Sequence, residues 1–156
     1  MGKIGFANIS TTTAEQGPFN LGDIYEEGEI AYQYVHANGA IAQYNAVGMD
    51  ADFEAADLTT TTSGARPTRV GIAQVAFADN EYGWVPIGPF PESAGFKVNG
   101  AASCAANVKL YTTGTDGVVD DTATDLIEGL VLTETLVGAG SATCEAVKRL
   151  CTNCQD

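Results

Sequence analysis

Positive charge is what this sequence has least of. Seven Lys and Arg stand against 20 Asp and Glu, a formal net charge of −13. No Lys or Arg occurs between Lys3 and Arg66, while Asp23, Glu26, Glu27, Glu29, Asp50, Asp52, Glu54 and Asp57 gather in that stretch. Such a surface repels phosphate backbones and anionic lipid headgroups, so neither nucleic acid nor membrane is an expected partner. Two roles remain for the acidity: it keeps a concentrated protein soluble, or it docks onto a basic partner surface.

Histidine, the usual proton shuttle near neutral pH, occurs once, as His36. Its place beside Asn38-Gly39 reads as a solvent-facing turn histidine, and no G-x-S-x-G elbow supplies a nucleophile for it to activate. Acidic pairs such as Glu26-Glu27 and Asp120-Asp121 follow from the abundance of acids. Asp116, Asp120, Asp121 and Asp125 could be imagined around calcium, but the EF-hand spacing is missing and an acidic, turn-rich loop is the simpler reading. Gly95 and Gly100 have phosphate-loop spacing without the Lys-Ser/Thr that follows it. The expectation is no catalytic residue, no cofactor and no metal.

Long apolar runs are absent as well. None approaches the roughly 18 residues of a membrane span, and residues 1–19 lack the continuous apolar core of a secretory signal, so synthesis in a cytoplasm is expected. With 156 residues, 45% apolar and 17% charged, the chain suits one folded domain.

Short strand signals fill most of that length. Residues 30–35 alternate, Asn38-Gly39 gives a hairpin turn, and residues 41–47 return. Residues 50–58 read as a helical turn or a bend, and 59–67, with four threonines, Gly64 and Pro67, as a loop or a strand edge. Strands follow at 70–77 and 82–87 across Asp79-Asn80, at 96–99, and at 109–113 paired with Val118-Val119 across Thr115-Asp116-Gly117. The last two are 126–136 and 142–150, across Gly138-Ala139-Gly140. Turn signals every 8 to 12 residues indicate a mainly β domain, a small barrel or sandwich of about eight short antiparallel strands. Residues 1–20 form an extended arm, 21–150 the β domain and 151–156 a short tail. Trp84, Tyr82, Val70, Ile72, Leu110, Ile127, Leu130 and Leu132 are the expected core. Trp84 with Tyr82 and Phe90 could instead form a platform for stacking sugars, although a strand tryptophan more often packs inward.

The four cysteines, Cys104, Cys144, Cys151 and Cys154, lie in the last third. Zinc would use the CxxC of Cys151 and Cys154 as one half-site, but Cys104 and Cys144 lack the spacing of a second. A redox CxxC belongs at a helix start, not near a chain end. Ordinary thiols and disulfides remain. An even number in a small β domain leans towards one or two disulfides, with Cys104 and Cys144 as the long-loop pair and Cys151 with Cys154 as the other.

Three segments taken in order, LGDIYEEGEIAYQYVHANGAIAQYNAV, PTRVGIAQVAFADNEYGWVPIGPF and VKLYTTGTDGVVDDTATDLIEGLVLTE, resemble the small head-decoration (cement) proteins of tailed bacteriophages. The likeness spans about residues 20–135 and rests on structural glycines, turns and apolar strands. It implies a non-enzymatic, barrel-like virion protein on the capsid outer surface that staples neighbouring major capsid proteins, commonly as a homotrimer. The arm, with Ile4, Phe6 and Phe19, would be the capsid contact. The cysteine-bearing end, residues 144–156, departs from that pattern. Other readings are a different virion component, such as a head fibre base or tail protein, and a carbohydrate-binding β module using Tyr82, Trp84 and Phe90.

Overall fold

The computed structural model describes residues 9–65, 67–122 and 124–154. Its framework is β1 (Ile24–Glu27), β2 (Ile30–Ala37), β3 (Ala46–Met49), β4 (Glu54–Asp57), α1 (Thr60–Ala65), β5 (Thr68–Ile72), β6 (Tyr82–Pro86), β7 (Lys97–Gly100), β8 (Leu110–Thr112), β9 (Val119–Asp120), β10 (Leu126–Leu132) and β11 (Gly140–Thr152). The mainly β class and the barrel are present. Strands β11, β10, β8, β9 and β7 pair in sequence, and β7 returns to β11, closing a five-stranded barrel. So narrow a barrel has to be filled by its own side chains. Val98, Leu110, Val119, Ile127, Leu130, Leu132, Ala142, Cys144 and Ala146 do this, with Phe90 entering through a bridge to Ala146.

Beside the barrel lies the sheet β1-β2-β4-β3-β5, with β6 on the other edge of β2 and β5 joined to β11. Strand β2 explains its own central position. Ala31, Val35 and Ala37 point to one apolar cluster with Val47, Ala55, Phe77 and Val85, while Tyr32 and Tyr34 point to another with Trp84. A strand apolar on both sides needs cover on both.

Two elements that were not expected reorganise the hairpin expected from residues 30–47. Strand β4 inserts between β2 and β3, parallel to the first and antiparallel to the second, so β2 and β3 do not pair. Asp50 creates β4 by folding the chain back: its Oδ1 accepts from the N–H groups of Asp52 (2.9 Å) and Glu54 (3.0 Å). Gly39, at φ +103°, instead donates its N–H to Asp79 Oδ1 of another turn, 2.9 Å away. The other addition is β1, antiparallel to β2.

Residues 70–77 and 82–87 likewise do not pair with one another. Strand β5 joins β3 and β11, and β6 joins β2. The four-threonine segment forms α1, because Thr59 caps it: Thr59 Oγ1 accepts from Thr62 N–H at 3.0 Å. The pairing of β8 with β9 and the β10–β11 hairpin occur as expected, although β11 continues through Cys151 and Thr152 into the segment expected as tail.

All of the expected core is buried except Tyr82, which is half-buried.

Candidate functional site: the strapped aromatic face

The register of β2 against β6 sets Tyr34 opposite Trp84 and His36 opposite Tyr82. Even-numbered residues of both strands therefore share one face. Trp84 lies 5.0 Å from Tyr34 and 6.0 Å from Tyr25, and Tyr34 stacks on Tyr82 at 6.3 Å. Tyr32 joins Tyr25 on one side and Phe96 on the other. Burial first, then Glu27 and Tyr25, push the Tyr32 phenol up to about 12, so it stays neutral at any ordinary pH.

Residues 9–20, the second half of the arm, cover this face together with Leu21. Thr13 exchanges main-chain hydrogen bonds with Tyr82 at the outer edge of β6, at 2.9 and 2.8 Å. Thr12 Oγ1 donates to Glu81 Oε2 at 2.7 Å, and Gly17 N–H donates to the Tyr34 hydroxyl at 3.1 Å. The ring of Phe19 stands edge-on to Tyr34 and Trp84, while Ile9 and Leu21 pack at the margins. The Thr12 bond, then a second from Ala78 N–H, holds the Glu81 carboxyl below its usual range. On the opposite face of β6, Gly83 leaves room for the Phe77 ring, 2.8 Å from where a Cβ would stand, with the Thr12 methyl at 3.3 Å. Chemically, this arrangement grips a short extended segment through edge hydrogen bonds and aromatic packing.

Phe19, expected as a contact for another protein, thus packs within its own domain; Ile4 and Phe6 lie outside the described residues. His36 is a strand residue, because β2 runs on to Ala37. Its ring lies 4.5 Å from that of Tyr82, with Nδ1 3.7 Å from Glu54 Oε1. Trp84 and Phe90 are 3% and 2% exposed and belong to different clusters, so with Tyr82 they form no open stacking platform.

The cysteines divide. Cys151 and Cys154 form a disulfide with Cα atoms 6.0 Å apart, whereas Cys104 and Cys144 are free, buried thiols, a correction to the expected second bridge. Each is occupied with packing the barrel, and the Cys144 thiol donates to the Phe96 carbonyl oxygen at 3.5 Å. Burial raises both, Cys104 to about 11 with help from Asp121 and Asp120, and Cys144 to about 12. Among the described residues no group of three His, Cys, Asp or Glu could hold a metal ion. The acidic turn disperses its carboxylates: Asp120 caps Asp121 N–H and Thr122, Asp121 caps Ala105 N–H, and Asp125 accepts from Ser63 on α1.

A polar seam joins the sheet to the barrel. Asn45 Nδ2 donates to Asp57 Oδ1 at 2.9 Å, and Asn99 Nδ2 on β7 donates to Asn45 Oδ1 at 2.7 Å. Burial holds the Asp57 carboxyl above its ordinary value against the Asn45 bond, and Asp116 adds to the rise. Asp57, Asp50 and Glu54 line an open cleft of about 370 Å³ beside α1.

The strap is the site residue set that sequence reading did not anticipate. Two signals pointed to it: the β-branched run Thr11-Thr12-Thr13, and the aromatic alternation of β2, whose second apolar face required a cover. No family model, no curated protein and no solved structure matches this chain.

Proposed function

We propose that this chain is a non-enzymatic virion structural protein that binds the outer surface of a phage capsid and cements neighbouring major capsid proteins, self-associating as a homotrimer. The observation that supports the reading is where the resembling segments fall. LGDIYEEGEIAYQYVHANGAIAQYNAV supplies β1, β2 and the start of β3, PTRVGIAQVAFADNEYGWVPIGPF supplies β5 and β6, and VKLYTTGTDGVVDDTATDLIEGLVLTE supplies β8, β9 and β10. The likeness therefore resides in framework strands and turns, as suits a protein whose product is a surface. The acidity of that surface favours a basic partner.

The test is addition of the purified protein to expanded phage shells that lack it, followed by sedimentation and thermal disruption. The protein should pellet with the shells and raise their disruption temperature, with many weak contacts acting together. Shells that disrupt at the same temperature with and without bound protein would remove the cement role. Density at a tail or fibre in electron micrographs would move the chain to a different virion part.

A further inference from the structure

We propose that the strap is exchangeable: the same segment of a second copy can seat on the Tyr34–Trp84 face in place of the chain's own. The occupant is identified by the structure itself, because the edge of that face already holds residues 9–13 of this sequence with complementary chemistry. Its main chain receives Thr13 and its carboxylate Glu81 receives Thr12, beside the slot that Phe19 fills.

Three observations argue for exchange over a permanently closed strap. The polar attachments include ones that a second copy reproduces: a reciprocal main-chain pair, a hydroxyl–carboxylate bond and a bond to a phenol. Between Thr13 and Phe19 the chain is exposed throughout and contains Gly17-Pro18, a connection that lets the residues before it swing outward while Phe19 stays seated on Tyr34 and Trp84. The face beneath cannot stay open, since Tyr32, Tyr34 and Trp84 are each at most 5% exposed with the strap in place. An opened strap therefore requires a replacement, and a second copy supplies one with identical contacts, the low-cost route of segment swapping. The Thr12–Glu81 bond makes the latch sensitive to acid, because protonation removes the charge that the hydroxyl addresses. This inference concerns copies of this chain alone and stands whether or not the protein decorates a shell.

The experiment mixes two full-length variants, Thr12→Cys and Glu81→Cys, and adds a short bis-maleimide. Natural thiols do not interfere, since Cys104 and Cys144 are buried and Cys151 is bonded to Cys154. A covalent dimer containing one chain of each variant, and absent from either variant alone, is the expected result. A mixture that stays monomeric, while the double variant Thr12→Cys/Glu81→Cys links within one chain, would overturn the proposal. Should the variants fold poorly, native mass spectrometry of concentrated, mixed ¹⁵N-labelled and unlabelled natural chain decides. Mixed-isotope oligomers that Thr13→Pro abolishes, by removing the N–H that pairs with Tyr82, support exchange; monomers at every concentration, or oligomers that Thr13→Pro leaves intact, end it.

Discussion

The ring of Phe19 stands edge-on to two partners at once, 5.4 Å from Tyr34 and 5.0 Å from Trp84, and so fastens the arm to the centre of the aromatic face. Two ring contacts and partial burial of a large side chain together contribute about 2 kcal/mol. Phe19→Ala should lower unfolding free energy by about that amount and shift the fluorescence of Trp84 to the red as water reaches the indole. Urea titration followed through the single tryptophan gives both readouts. An unshifted spectrum with unchanged stability would mean that the arm contributes nothing to covering the face.

The thiols make a sharper test. Burial favours the uncharged form of both Cys104 and Cys144, pushing them to about 11 and 12, and the thiolate is the reactive species. In the native protein neither should react with a thiol reagent at pH 8; after denaturation without reductant, both should. Intact mass should lie about two hydrogens below that of the fully reduced chain, reflecting one two-electron oxidation at Cys151–Cys154. A deficit twice as large would restore the Cys104–Cys144 bridge.

What the sequence disclosed was what local chemistry decides. The Thr115-Asp116-Gly117 turn brings β8 to β9 and the Gly138–Gly140 turn brings β10 to β11, because turn residues and apolar alternation act over short distances. The Asn38-Gly39 signal misled because β4, from a segment poor in β-branched residues, takes the place beside β2; its strand state comes from two neighbours rather than from propensity. Threonine's preference for strands hid α1, where Thr59 serves as a cap instead. The strap was legible as an arm but not as a latch. Its partners, Glu81 and Tyr82, lie some seventy residues along the chain, and only the pairing of β6 with β2 brings them to that edge. The same distance effect separates the cysteines: Cys151 and Cys154 are neighbours in sequence, whereas Cys104 and Cys144 are placed by the barrel.

Asp57 should make the protein less stable at neutral pH than its neutral counterpart. Burial raises its folded-state value above the ordinary 3.8, so its favourable contribution is complete below 3.8 and is lost as pH rises through the raised value. Asp57→Asn keeps an oxygen to accept the Asn45 hydrogen bond while removing the buried charge and its repulsion by Asp116. The variant should melt higher than the natural chain at pH 7, with the advantage shrinking below pH 3.8, where both side chains are neutral in either state. Thermal melts across that range would reject the account if the natural chain were the more stable at pH 7.

Gly117 connects the same seam to the barrel turn, and there the backbone demands glycine. Its carbonyl oxygen accepts from Ala46 N–H and its own N–H donates to the Leu58 carbonyl oxygen, both at 2.9 Å, so the turn preceding β9 is tied to both ends of the β3–β4 region. The residue sits at φ +76°, and a Cβ there would run into the side-chain amide of Asn45. Gly117→Ala therefore incurs the left-handed backbone cost of about 1–2 kcal/mol. It also displaces the amide that links Asp57 to Asn99. The loss should exceed that of a simple turn substitution: Gly114→Ala, where a Cβ meets nothing within 4 Å and φ lies outside the left-handed region, should be nearly neutral in comparison. Chemical denaturation of the two variants side by side measures the difference. A loss no larger than the backbone cost of about 1–2 kcal/mol would show that the Asn45 seam does not couple the barrel to the sheet. A loss at Gly117 larger than that backbone cost of about 1–2 kcal/mol would identify the seam as a joint between barrel and sheet.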